Sequence, residues 1–425
     1  MSEKTVCPVP WMHLAFEPSG KVIPCCLTSP HASANLGNLN KQSIESIWNG
    51  DRLKEIRLQM LNGEKPNICR KCYDREDVTG ESARTYHRWE FSEVLDKIPA
   101  ITLDDGTATE MELKYWDFRF SNLCNFKCRS CGPTYSTSWV PDAKKLGWTD
   151  QDKVWNIEAV DESDNFKFLE EQMKHVKKIY FAGGEPLMMP EHWQIMDSLV
   201  ENKRFDVRIS YNTNASLLKY NKKNILDYWR QWEDLKIEVW PSLDEIGERA
   251  ELIRSGTEWH KVEKNIIAMS ELDNIIVRPG MTIGAWNVRR LPTIITHLID
   301  IGVIKSKKKF GYHYNNFFIN LLEQPSFYHV SILPDWYREE TIKELETFID
   351  SHKQKYDSDL SEIFKHIMHE LRKPWQPGDA SEFLKISQQV DGVRNENVLE
   401  TIPEMTCVKD AVEEHYGNKI QAVNV

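Results

Sequence analysis

The chain has 425 residues, 40% of them hydrophobic and 15 of them Trp, enough for more than one compact unit and a sizeable core. Its formal charge of −11 argues against nonspecific nucleic-acid binding, which needs clustered Lys and Arg. No basic N-terminal segment leads into an apolar run, and no stretch of about 18 apolar residues occurs, so neither secretion nor a membrane span is expected and the location should be cytoplasmic.

Eight of the nine cysteines stand in the first third of the chain, paired or tripled. In a reducing compartment such groups are metal ligands more often than disulfides. The ninth, Cys407, reads as an ordinary thiol.

In residues 1–90, Cys7 precedes an apolar, aromatic stretch, a turn at Pro18-Ser19-Gly20 and a second run, Lys21-Val-Ile-Pro-Cys25-Cys26, the pattern of a hairpin. Helix signals follow at 43–49 and 51–62, and the segment closes with Cys69-Arg-Lys-Cys72. Hairpin thiols and a Cys-x2-Cys turn make a four-ligand site. Spacing alone leaves zinc and iron–sulfur equally open. Cys26 is unassigned, because neighbouring strand residues point to opposite faces. Residues 91–112, with Ile98-Pro99 and Asp104-Asp-Gly106, read as a linker.

A strand over Lys114–Ser121 then leads into Cys124-Asn-Phe-Lys-Cys128-Arg-Ser-Cys131. Three thiols in so short a loop can surround one iron–sulfur cube and leave one of its irons open; a zinc loop or free thiols are the plainer alternatives. Strands and helices alternate from there. Lys178–Phe181 precedes Gly183-Gly184-Glu185-Pro186 and a helix from Pro190 with Trp193, Met196, Leu199 and Val200 on one face. Asp206–Ser210 precedes Asn212-Thr213-Asn214 and a helix to Trp232, and Lys236–Trp240 precedes Ser242 and a helix capped by Thr257. Ile275–Ile283 and Phe317–Leu322 are two further strands. Such repetition implies a parallel sheet with crossover helices, whose functional residues gather at the C-terminal ends of strands. Asn287 is a weaker candidate for a pocket at those strand ends, Asp244, His313, Tyr314 and Asn320 could line its substrate side, and the lysine run at 305–309 reads as a solvated loop.

The Cys-x3-Cys-x2-Cys spacing resembles the signature of the radical S-adenosylmethionine (radical SAM) superfamily, with Ser130 in place of the usual aromatic before the third cysteine. The resemblance implies an α/β fold built as a partial (β/α)6 TIM-like barrel over 113–333. It implies a [4Fe–4S] cluster on Cys124, Cys128 and Cys131, whose open iron binds SAM. Reductive cleavage would give a 5′-deoxyadenosyl radical that takes hydrogen from substrate. Gly183, Gly184, Glu185 and Pro186 match the family's SAM-binding segment, Ser242 and Arg254 match positions around the same cofactor, and Asn214 is a weaker candidate for that pocket. The pattern Cys7-x12-Gly20-x4-Cys25 with Cys69-x2-Cys72 is similar to the twitch and SPASM auxiliary-cluster modules, which more often follow the core. That match implies a second [4Fe–4S] cluster on Cys7, Cys25, Cys69 and Cys72 within a small Cys-rich α+β module.

Beyond Leu333-Pro334 the pattern is helical through 334–425, with apolar stripes at Ile342, Leu345, Phe348, Ile349 and again at Leu360, Ile363, Phe364, Ile367, Met368, Leu371. No family motif reaches this region. The expected function is radical SAM hydrogen abstraction from a peptide or protein, with an electron donor such as flavodoxin or ferredoxin. The alternatives are a radical SAM enzyme acting on a carbohydrate or cofactor precursor, and a non-catalytic zinc or iron–sulfur protein.

Overall fold

The structure is a computed structural model that describes residues 5–28, 34–149, 164–305, 317–356 and 359–423. The fold follows from a strand that is buried on both faces. β1 (His13–Phe16) and β2 (Lys21–Ile23) form the expected hairpin, with Ala15 opposite Ile23, and β2 pairs antiparallel with β3 (Gly37–Asn38). β4 (Tyr115–Phe118), β5 (Lys178–Phe181) and β6 (Arg208–Thr213) run parallel, and β1 joins them parallel to β4. The order is β6–β5–β4–β1–β2–β3. Every residue of β4 is buried, so it needs neighbours on both edges and cover on both faces. Phe16 of β1 supplies part of that cover, stacked on Phe118 at 4.3 Å.

These strands belong to a unit comprising Met1–Leu123, Lys153–Asn212 and Gln231–Ile237. The Cys-rich hairpin therefore extends the sheet, and the unit does not stop at residue 90. The stretch expected as a linker also carries structure. Ser92–Ile101 is a helix that buries Val94, Ile98 and Ile101, and only the turn around Asp104-Asp-Gly106 behaves as punctuation, closed by a Thr102–Ala108 bridge. The helices Ile44–Trp48, capped by Ser43, and Asp51–Leu61 stand where the sequence places them. Pro190–Glu201 does too, burying Trp193, Met196 and Leu199.

The second unit comprises Cys124–Asp152, Thr213–Arg230 and Glu238–Val425. β7 (Ile237–Pro241) lies beside β8 (Ile275–Val277), and β9 (Gly280–Ile283) pairs parallel with β10 (Phe318–Leu321). The single strand expected over Ile275–Ile283 is thus two, interrupted at Pro279, which has no N–H to give a ladder. The helix expected between Asn214 and Trp232 shrinks to Ile225–Trp229 behind a two-residue-armed hairpin. Thr257 is not a cap: the helix Trp259–Ser270 starts after Glu258, and the Thr257 hydroxyl donates to the Arg254 carbonyl at 2.6 Å. The helices Asp335–Tyr356, Asp359–Leu371, Pro377–Arg394 and Thr406–Val423 share this unit with the Cys124 loop. The α/β class with mostly parallel strands is as expected. Among the described residues no helix is long and apolar enough to cross a membrane.

One buried ion cluster anchors the first unit. Glu90 meets Lys178 at 2.9 Å and Arg208 at 3.5 Å. Burial opposes its ionisation, but His87 and Lys178 outweigh burial and bring its carboxyl down from 4.5 to about 2. A depressed carboxyl contributes stability above its ordinary value and loses it as pH falls towards the folded value. Glu90→Gln should therefore unfold at lower urea than wild type at pH 7, with the gap closing between pH 4.5 and about 2. A gap that ignores pH would contradict the ionic origin.

Candidate cluster sites

The second unit opens on the three-cysteine loop, which follows β4 in the chain. Cys124 is half-buried, Cys128 buried and Cys131 exposed. The loop rests on the segment 252–256: Lys127 N–H donates to the Ser255 carbonyl and Arg129 N–H to the Ile253 carbonyl, both at 2.8 Å. Gly256, at φ +102°, lets the segment approach, since a Cβ there would stand 2.7 Å from the Asn125 carbonyl oxygen. From the other side, Thr137 accepts from the Cys124 N–H at 3.2 Å, Ser138 donates to the Cys124 carbonyl at 2.8 Å, and the Trp139 indole donates to the Cys128 carbonyl at 2.7 Å.

Asn214 belongs to this site. Its amide is 4.0 Å from the Cys124 sulfur and donates to Asn125 at 2.8 Å. The Arg254 side chain is 14% exposed and donates to Asp244 at 2.9 Å. Burial opposes its charge, but Cys128, Asp244 and Cys124 nearby keep it protonated, and its Nε has no partner. Asp244 accepts the Thr282 N–H at 2.8 Å, and Asn287 bonds the Asp244 and Thr282 carbonyls, so both act as a brace behind Arg254. Burial pushes the Cys128 thiol up to about 12, so a metal there must displace its proton. Ser242 is half-buried at the end of β7, and Asn320 is exposed. His313, Tyr314 and lysines 307–309 lie outside the described residues.

In the first unit, the Gly183–Pro186 turn follows β5. Gly184 packs so closely that a Cβ would lie 2.2 Å from the Leu123 carbonyl oxygen, which the Glu185 N–H reaches at 2.7 Å. The Glu185 carboxylate is wholly buried and accepts the Leu187 N–H at 3.2 Å, capping its own turn. It is thus already engaged, and the turn's exposed chemistry is backbone.

The same unit holds the second group of thiols. Cys7, Cys25, Cys69 and Cys72 line one cavity, with Arg84 and His87 on its wall. Cys69 and Cys72 sit at the start of the helix Arg70–Thr79, where the helix dipole favours a thiolate. Burial, with the neighbouring thiols, pushes Cys7 and Cys69 up to about 12, while Arg84 works the other way. Among the described residues no three His, Cys, Asp or Glu side chains are grouped tightly enough for a metal ion. The four thiols frame a space, which suits a multi-iron group better than one ion. Cys26 does not line it. It faces Cys25 and Asp117, whose bond and charge, with burial, raise its thiol far above the ordinary range. Sequence reasoning missed Arg84, although Ser82 heads a capping box on the helix Ala83–Glu90 that carries it.

Residues 118–284 match the family model of the radical SAM superfamily. This stretch carries a radical SAM domain. Residues 7–73 of this radical SAM chain match the SPASM model, an iron–sulfur cluster-binding domain. A radical SAM domain takes a [4Fe–4S] cluster and SAM, and a SPASM domain an auxiliary iron–sulfur cluster. The chain is 30% identical over 126 residues to GTP 3′,8-cyclase of Aliarcobacter butzleri, across 29% of this chain and 34% of that one. It is 28% identical over 113 residues to GTP 3′,8-cyclase of Campylobacter curvus, across 27% and 31%. The chain thus spans about a third of the length of these relatives. Among solved structures it is similar to anSMEcpe with bound AdoMet (15% identical, 55% of this chain and 56% of that one, TM-score 0.37). It is also similar to Streptococcus suis SuiB bound to precursor peptide SuiA (11%, 75% and 68%, TM-score 0.37). Both likenesses are too distant to place a residue.

The cavity lining makes a sharp distinction between adjacent thiols. Cys25→Ala should lose about four irons per chain on anaerobic reconstitution, and Cys26→Ala none. Equal loss in both would show that the lining does not define the ligands.

Proposed function

We propose that the chain cleaves SAM reductively at a [4Fe–4S] cluster on Cys124, Cys128 and Cys131 and abstracts hydrogen from its substrate. The observation that carries this reading is the three-thiol loop, fixed by backbone hydrogen bonds on both sides with Arg254 and Asn214 beside it. Three ligands leave one iron of a cube open. When bound, cluster and SAM supply one-electron sulfonium cleavage and hydrogen-atom transfer.

The protein's own groups orient and exclude. Arg254, held by Asp244, offers a fixed positive charge for an anionic group such as the SAM carboxylate, and Asn214 an amide close to the first sulfur. Ser242 and the Gly183–Pro186 turn are assigned to SAM by their match to the family's segments. With Glu185 capping its own turn, the backbone there is the part suited to meet the ligand. Cys7, Cys25, Cys69 and Cys72 would hold a second [4Fe–4S] cluster, with a low-potential flavodoxin or ferredoxin as electron source.

The resemblance of the Cys-rich module to twitch and SPASM proteins leans towards a peptide or protein substrate. A small-molecule substrate is the second reading, favoured by the similarity to the GTP 3′,8-cyclases. The test is anaerobic: iron per chain, then 5′-deoxyadenosine formed from SAM under a strong reductant. Wild type should hold about eight irons, and a Cys124/Cys128/Cys131→Ala variant about four, with nucleoside formation abolished. Full iron loading without nucleoside, with peptide and nucleotide candidates both supplied, would refute the proposal.

A further inference from the structure

Arg129 stands between two of the loop's cysteines, and its side chain is wholly buried. A buried guanidinium is tolerated only with partners. Its partners come from the far end of the chain: Arg129 pairs with Asp391 and, at 2.6 Å, with Glu396. The second Glu396 oxygen accepts from the Ser255 hydroxyl at 2.5 Å, and Ser255 is the residue whose carbonyl receives the Lys127 N–H.

Arg394 completes the arrangement. It is 1% exposed and donates to Asp142 at 2.8 Å, and Lys127 reaches the same Asp142 oxygen, also at 2.8 Å. Burial opposes ionisation of Asp142, but Lys127 and Arg394 hold its carboxyl below the ordinary range. A second Arg394 nitrogen donates to the Ser255 hydroxyl at 3.1 Å, and the guanidinium lies 4.1 Å over the Trp139 ring, whose indole is bonded to the Cys128 carbonyl. Asp391 also accepts the Val398 N–H at 2.8 Å, which fixes the chain after the left-handed Asn395 that ends the helix. Lys127, Arg129 and Arg394 are balanced by Asp142, Asp391 and Glu396, so loss of one carboxylate leaves a buried positive charge uncompensated.

We propose that the C-terminal end of the helix Pro377–Arg394, with Glu396 after it, is a clamp that holds the three-cysteine loop in its ligating shape. Asp391, Arg394 and Glu396 are positioning residues for the cluster and touch neither sulfur nor substrate. This role rests on the cluster reading of the loop. It gives the C-terminal helices, which no family match reaches, a part in the chemistry at the loop: they limit how far its thiols can part when iron is lost or reduced.

The test uses the full chain with isosteric changes, Asp391→Asn/Glu396→Gln, and separately Arg394→Lys, which keeps charge but removes the planar stack on Trp139. Iron release to a chelator is followed anaerobically, with the Cys124/Cys128/Cys131→Ala variant identifying which electron paramagnetic resonance signal belongs to the loop. The double variant should lose the loop cluster about tenfold faster than wild type, a modest share of what unpairing a buried charge costs, while the SPASM cluster is lost at the wild-type rate. The reduced loop-cluster signal should change shape as well. Unchanged release, or equal acceleration at both clusters, would overturn the clamp, the second outcome meaning general destabilisation. Hydrogen exchange at residues 124–139 of the iron-free chain separates the two ideas. Should wild type take up no iron at these cysteines, the cluster reading fails, and faster exchange in the variant would still uphold the clamp.

Discussion

A thiol can serve as a metal ligand only as a thiolate, and a thiolate removed from water is costly unless positive charge or N–H donors stand beside it. Both thiol groups of this chain meet that condition in the same way. Arg84 faces Cys7 and Cys69, and Arg254 faces Cys128 and Cys124. Each arginine is itself held by a carboxylate that a further donor fixes: Glu76, bonded by the Ser82 hydroxyl, for Arg84, and Asp244, bonded by the Thr282 N–H, for Arg254. The cation is aimed before any ligand arrives, so little reorganisation is left for the binding step.

The surrounding fold supplies what those arginines require. A side chain can be buried with its charge only where backbone and aromatic groups exclude water around it. Cys69 starts a helix, Cys25 follows a strand, and the Cys124 loop lies between a segment with a left-handed glycine and the turn that carries Trp139. Short elements with fixed ends suit this task, because each places one sulfur without a long flexible arm. The burial that raises the thiols is thus also what sharpens the arginines' effect.

The parts of this design that were legible in the sequence are the local ones. Cysteine spacing, the glycines after β5 and the alternation of strands and helices are set within a few residues, and they pointed to the right family and class. What could not be read depends on distant partners. Ser92–Ile101 looked like a connector because Pro99 and the Asp-Gly turn dominate its local signal, yet Val94, Ile98 and Ile101 bury one face. Nothing near Glu185 in the sequence announces that its carboxylate will take the Leu187 N–H. Arg129 carried a signal that went unused. A cation enclosed between two ligand cysteines has to be paired, but the sequence does not say with what.

The partner of Arg129 lies 262 residues downstream at Asp391, and the next carboxylate, Glu396, 267 residues downstream. On a ribosome the three-cysteine loop therefore emerges long before the acids that neutralise it. Until residue 396 has left the exit tunnel, Arg129 has neither of these carboxylates to enter the interior with. A product that terminates before Asp391 would carry the eight cysteines of the first third and still lack the carboxylates that pair with Arg129.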